Sequence, residues 1–441
     1  MVRRYLDFSV GIESTAGGGH IVRAFSHRAE AESVTEFPFG PGELSGILEP
    51  LMEGSSPEAR PDPTKLGGAL FAALFPGPVG ELYSSEWSAA MKAGDGLRIR
   101  LHLRPGNPEL AWLTRVPWEL IFDERAGGFP CLNPLTPLVR HIDLPRPVER
   151  VPFRPPIRVL VAAANPSSEP RLALQSEQER IEAARKGRKR VEVKVLEDTS
   201  PEELRRELTR GRYQIVHFMG HALMSANDGS LMFSTAEGFP RRVTGEEMSH
   251  LVQGAPAAQL VILNACHSAA SPGGQGAGLL TGVAGALVRG GQPAVLGMQF
   301  AISDRAALKF SEILYERLAE GDPIEAAVTE ARLAIYFANP NSTHWVAPVL
   351  FLRGADDRLE AKTMNEKQER PVKKSPTQTV EIKAKNIHAK NADLTALDSD
   401  GAAKLPNHSG KVLVNGDTLQ IDGELNISAI RVSKSSRPRR G

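Results

Sequence analysis

The sequence predicts an α/β fold, a mostly parallel sheet flanked by helices, and three observations predict it. From residue 157 onward, apolar runs of strand length alternate with amphipathic stretches of helix length, the pattern of successive βαβ units. The chain has 441 residues, 41% hydrophobic and 24% charged, enough for a sizeable core and two or three domains. Its longest apolar stretch, GLLTGVAGALVRGGQPAVLGM, is interrupted by Arg289, two glycines and Pro293, and so reads as helix, turn and strand rather than a membrane span.

Residues 1–150 carry extended patterns, of which LRIRLHL at 97–103 alternates as a half-exposed strand does. The proline-rich stretch LPRPVERVPFRPP at 144–156 marks a boundary. Beyond it the strands are IRVLVAAA, VEVKVL, YQIVHFMGH, QLVILNAC and AVLGMQF, with helices expected around 175–187, at SPEELRREL and near 276–289. In SDRAALKFSEILYERLAEG, Phe310, Ile313, Leu314 and Leu318 fall at helical spacing between a Ser or Asp start and a Gly321 stop. A further helix, IEAAVTEARLAIYF, and a closing strand, HWVAPVLFL, end a domain at 151–355.

Residues 356–378, with KKSPTQ and little apolar material, read as a linker. Residues 379–432 form short alternating runs with Asn-Gly and Asp-Gly turn signals, predicting a small β-rich module of stacked strands. The echo of KAKN, HAKN and ADLTA hints at a repeat. The last stretch, 433–441, reads as a disordered basic tail.

Charge excludes some function classes. Lys plus Arg total 53 against 52 acidic residues, so no global field draws the chain to nucleic acid or to a membrane surface. The run ARKGRKR at 184–190 reads as a solvated helix end. Two cysteines cannot form a disulfide framework and fit a reducing cytosol. MVRRYLDFSV lacks an apolar signal core, so the expectation is a soluble cytoplasmic protein.

The chemistry concentrates in IVHFMGH, residues 215–221, and LVILNACHSA, residues 260–269, each a strand that ends at a reactive side chain. In open parallel sheets ligands bind outside the strand carboxyl ends. Adjacent strands lie about 4.8 Å apart, so His221 and Cys266 can face one another there. An imidazole beside a thiol takes its proton and later protonates the leaving amine. The amides of Gly220 and Cys266 are the expected oxyanion donors, and no metal or organic cofactor is needed.

One other reading competes for the same residues. His217, His221, Cys266 and His267 could hold zinc, but four residues of strand cover about 13 Å. Only a helix would join His217 to His221, and the β-branched flank QIVHF disfavours one, so His217 reads as structural or supporting. Cys131, in GGFPCLNP, has no partner in sequence and is assigned no chemistry. Asp304, at the start of a helix, reads first as a partner of the helix dipole.

The order MGH (219–221), DGSLMF (228–233) and NAC (264–266) resembles the CHAT proteins, caspase relatives of clan CD. The resemblance continues through AGLLTGVAGALVRGGQPAVLGMQFAISDRAALKF, LYERLAEGDPIEAA and HWVAPVLF, spanning 157–354. RVPWELIFDERAGGFPCLNPLTPLVR, residues 115–140, resembles the region that precedes the protease half in that family. Residues 1–150 would then be a caspase-like or supporting half of the same architectural unit. Where many members carry Trp, this chain has Met298, Gln299 and Phe300, a departure that bears on the substrate pocket and not on the nucleophile.

The resemblance implies a caspase-like fold and a cysteine endopeptidase, with Cys266 as nucleophile, His221 as proton carrier and a protein as substrate. Separases, which share the clan, place an acidic residue in the pocket that receives arginine. Asp304 would then bind a basic residue ahead of the cut. The resemblance also implies a role in bacterial defence or regulated cell death, with the β-rich module as the contact for a sensor or activating partner. The competing class is an inactive caspase-like scaffold that binds a peptide without cutting it.

Overall fold

The computed structural model describes residues 4–15, 19–51, 62–103, 107–142, 153, 155–166, 179, 190–224, 229–265 and 282–353, together with short strands between 380 and 427. Cys266, His267, the expected linker, the basic tail and nearly all of the expected helix at 175–187 lie outside the described residues. The chain forms two compact units, Met1–Thr363 and Met364–Gly441.

The first unit is built on an 11-stranded sheet. Its N-terminal strands are β1 (Tyr5–Ser14), β2 (His20–Phe25), β3 (Glu30–Thr35), β4 (Gly96–Leu103) and β5 (Leu138–Ile142). Beyond the proline-rich stretch come β6 (Ile157–Ala163), β7 (Val191–Leu196), β8 (Ile215–Met219), β12 (Leu260–Asn264), β13 (Ala294–Met298) and β14 (Pro348–Leu352). Three further strands, β9 (Ala222–Met224), β10 (Gly229–Ser234) and β11 (Pro240–Thr244), form a separate small antiparallel sheet.

The order in the large sheet is β3-β2-β1-β4-β5-β14-β13-β12-β8-β6-β7. One parallel block runs β1, β4, β5, β14. The other runs β13, β12, β8, β6, β7, and the antiparallel pair β13–β14 joins them. The carboxyl ends of β6, β8, β12 and β13 therefore share one edge, opposite to that reached by β1, β4 and β5. Strands from both sides of residues 144–156 lie in the same sheet.

The elements form where local chemistry favours them. The helix Pro201–Arg210 is capped by Ser200, which accepts from the Glu203 amide, and opens with Glu202 and Glu203 against the helix dipole. The helix Gly245–Gln253 begins with a full capping box between Thr244 and Glu247. The helix Asp304–Glu320 is capped by Ser303 and stops at Gly321 in the left-handed region, φ 91°. Of the helix expected near 276–289, Val283–Arg289 is described. HWV folds as a 3-10 turn, His344–Val346, so the closing strand starts later, at Pro348.

One expectation is corrected. The segment 97–103 is not half-exposed, because β4 is central and its polar side chains are buried with partners. Arg98 donates to Asp7 Oδ1 at 2.7 Å and to Glu325 Oε1 at 2.5 Å. Arg100 donates to Asp7 Oδ2 at 3.2 Å. An alternating pattern marks a polar face, and internal ion pairing has taken the place of water on it.

In the second unit six short strands pair in parallel, β15 (Val380–Lys383) with β18 (Val412–Asn415), β16 (His388–Ala389) with β19 (Gln420–Ile421), and β17 (Ala392–Leu394) with β20 (Leu425–Ile427). β18, β19 and β20 each lie in a different two-stranded sheet.

Candidate functional site

The candidate site lies at the shared carboxyl edge of the second parallel block. β8 and β12 are adjacent and parallel, with Ile215 beside Leu260 and Met219 beside Asn264. His221 stands two residues beyond Met219, and Cys266 two residues beyond Asn264. Cys266 itself is outside the described residues; the last described residue before it, Ala265, is buried.

The backbone around His221 is held from both sides. The Gly220 N–H donates to Asn264 O at 3.3 Å, extending the β8–β12 ladder by one residue. The Met232 N–H of β10 donates to His221 O at 2.9 Å, tying the small sheet to the same turn. His221 is half-buried and β9 begins at the next residue.

The Gly220 N–H, expected as an oxyanion donor, is engaged here with Asn264 O. Its glycine identity has another cause. A Cβ there would lie 2.7 Å from Phe218 Cζ and 3.0 Å from Ala164 O, so the turn into His221 closes only without a side chain.

His217, four residues earlier, is fully buried in the strand, and its Nδ1 is 3.0 Å from Tyr315 Oη. That contact pins the helix Asp304–Glu320 onto β8, a tertiary pairing that spacing in sequence does not reveal. The zinc reading required a helix over 217–221, and β8 is a strand through Met219.

Burial lowers the pKa of His217 from 6.5 to about 3, because the charged imidazolium would lose its water. The folded value lies below the unfolded one, so His217 stabilises the fold fully above pH 6.5 and progressively less as pH falls toward 3. One such group costs about 2 kcal/mol by about pH 5. Thermal melting between pH 7.5 and about 5 is expected to show this loss, and His217→Gln to flatten the profile while lowering stability at neutral pH. An unchanged pH profile in the variant would refute the assignment.

Cys131 is buried, and burial pushes its thiol up to about 12, leaving it protonated and unreactive. It donates to Glu119 O.

Gln299, in the segment that departs from the resemblance, belongs to a buried network that the sequence did not disclose. Arg140 on β5 donates to both carboxylate oxygens of Glu119, at 3.0 and 2.6 Å, and to Gln299 Oε1 at 3.0 Å. Gln299 Nε2 donates to Glu119 Oε2 at 2.9 Å and to Val346 O at 2.8 Å. This cluster fastens the segment 115–122 to the loop that leads from β13 to Asp304.

Asp304 sits in the first turn of the helix Asp304–Glu320 with its side chain exposed. A cavity of about 350 Å³ opens beside it, lined by Ser303, Arg305, Lys309, Glu312, Asn339 and His344 among others, but not by Asp304. Among the described residues no group of three or more His, Cys, Asp or Glu side chains is placed to hold a metal ion. None of the described helices is long and apolar enough to cross a membrane.

Comparison with known proteins gives a family. Among curated proteins none matches the sequence. The structure is similar to separase in the separase–securin complex of Saccharomyces cerevisiae, with TM-score 0.46 and 12% identity over 79% of this chain and 30% of that one. It is similar to caspase-1 from Spodoptera frugiperda, with TM-score 0.33 and 12% identity over 50% of this chain and 96% of that one. It is also similar to a secreted C11 cysteine protease from Bacteroides thetaiotaomicron, with TM-score 0.29 and 12% identity over 42% of this chain and 59% of that one. The chain thus spans less than a third of the separase it matches. Residues 64–355, more than half of the sequence, match the CHAT domain. Joined to the mostly parallel, helix-flanked sheet, that match means that the chain belongs to the CHAT domain family and has an α/β fold.

Proposed function

We propose that the protein is a cysteine endopeptidase in which Cys266 is the nucleophile and His221 the general base and acid. His221 takes the thiol proton, the thiolate sulfur bonds to the scissile carbonyl carbon, and the Cys266 amide steadies the developing oxyanion. The C–N bond then breaks as His221 returns its proton to the leaving amine, and water hydrolyses the thioester. The carrying observation is the register of β8 with β12, Met219 beside Asn264, which brings the ends of the strands that lead to His221 and Cys266 to one level.

A peptidyl acyloxymethyl ketone tests this reading. It is expected to label the wild-type chain and to leave Cys266→Ala unlabelled. Equal labelling of both, or none of the wild type by probes with varied side chains, would favour the inactive scaffold.

The substrate is proposed to be a protein cut after Arg or Lys, with Asp304 as the carboxylate that pairs with the basic side chain. Because Arg305 and Lys309 line the neighbouring cavity, that side chain would meet Asp304 at the rim and not inside. In a peptide library, Asp304→Ala should lose at least tenfold of any preference for basic residues in kcat/KM. Unaltered selectivity in the variant would remove Asp304 from the pocket.

Kinship with CHAT proteins supports a cytoplasmic role in bacterial defence or regulated cell death, with a sensor or activator engaging the unit Met364–Gly441. Cleavage of a protein encoded beside this one, upon addition of its trigger, is the direct assay.

A further inference from the structure

The second unit repeats itself. Residues of β15, β16 and β17 pair in parallel and in the same order with β18, β19 and β20, each partner lying 32 or 33 residues later. Three strands followed by three strands at a spacing of 32 or 33 residues are two successive coils of a β-solenoid.

Among the described residues, each of these strands is paired along one edge only. Two-stranded sheets are marginal in water, and stacked coils of this type need about three or more repeats to persist. The stacking is a translation: the edge of the first coil that accepts the second presents the same backbone row that the second coil then presents outward. What fits on that outer row is a segment with the polarity and spacing of a coil. The first coil of another copy has both, and among the described residues no strand pairs with its outer edge.

We propose that the unit Met364–Gly441 is a self-assembly module, in which β18–β20 of one copy pair in parallel with β15–β17 of the next. The contact is head-to-tail, so it leaves one open coil at each end and propagates with concentration. This inference is independent of the protease reading.

The test uses the full-length chain. Sedimentation over a dilution series is expected to show species larger than one chain that dissociate on dilution, and Ile382→Pro with Val414→Pro is expected to reduce them to single chains while leaving the melting of the first unit unchanged. Register is read by mixing two preparations in a Cys266→Ser background, one carrying Glu381→Cys and the other Leu413→Cys. Oxidation should link the mixture between chains and neither preparation alone. A chain that stays single at every concentration, assembly that survives both prolines, or a mixture that links no better than either preparation alone would each overturn the proposal.

Discussion

Replacing Cys266 by alanine, or His221 by alanine, is expected to lower kcat on a cleaved protein or peptide by about 10⁴-fold or more. The two losses should not add, because a thiolate without its imidazole and an imidazole without its thiol fail at the same step. KM should change little, since neither group is assigned to substrate binding. His221→Gln is the informative partner. It keeps a hydrogen-bonding side chain at half-buried volume, so a loss equal to that of His221→Ala assigns the effect to proton transfer and not to collapse of the turn. The turn itself has independent ties, Gly220 N–H to Asn264 O and Met232 N–H to His221 O, and so should survive either substitution. Activity within tenfold of wild type in Cys266→Ala would sink the mechanism.

The second large effect concerns stability. Glu119→Ala is expected to destabilise the first unit by about 3–5 kcal/mol, because it strands the Arg140 guanidinium, 1% exposed, without its carboxylate. Arg140→Ala should cost about as much for the mirror reason. The double replacement Glu119→Leu with Arg140→Met removes both charges, keeps volume, and should cost much less than the sum of the singles. Gln299 donates to the same carboxylate, so Glu119→Ala should also loosen the loop after β13. Chemical unfolding of the three variants gives the comparison; a loss in the double replacement equal to the sum of the singles would mean that the pair is not coupled.

The candidate site was legible to different depths at different residues. His221 and Cys266 stood out because each ends an apolar strand run, and a strand needs only local alternation and β-branched residues to be recognised. That β8 and β12 are neighbours was assumed from the pairing of their reactive ends and not read from any local pattern, since strand order depends on how helices return the chain across the sheet. At Gly220 the tertiary contacts add what the sequence did not show: its amide continues a ladder to Asn264 and its missing side chain admits Phe218. β4 was misread for the same kind of reason, because Asp7 and Glu325, which pair with Arg98, come from a strand and a helix remote in sequence.

The sequence by itself determined the α/β class, most strands and helix limits of residues 157–352, and the residue types of a Cys-His pair, because these rest on periodicity, capping and side-chain chemistry that act over a few residues. Only the tertiary structure decided that strands from both halves share one sheet with two opposed parallel blocks, that His217 anchors a helix through Tyr315, and that Gln299 completes a buried charge cluster. It also decided that each C-terminal strand pairs in parallel with a partner 32 or 33 residues later. Each of these depends on contacts between segments far apart along the chain, whose closure is set by packing and by the pairing of buried polar groups, not by any local pattern.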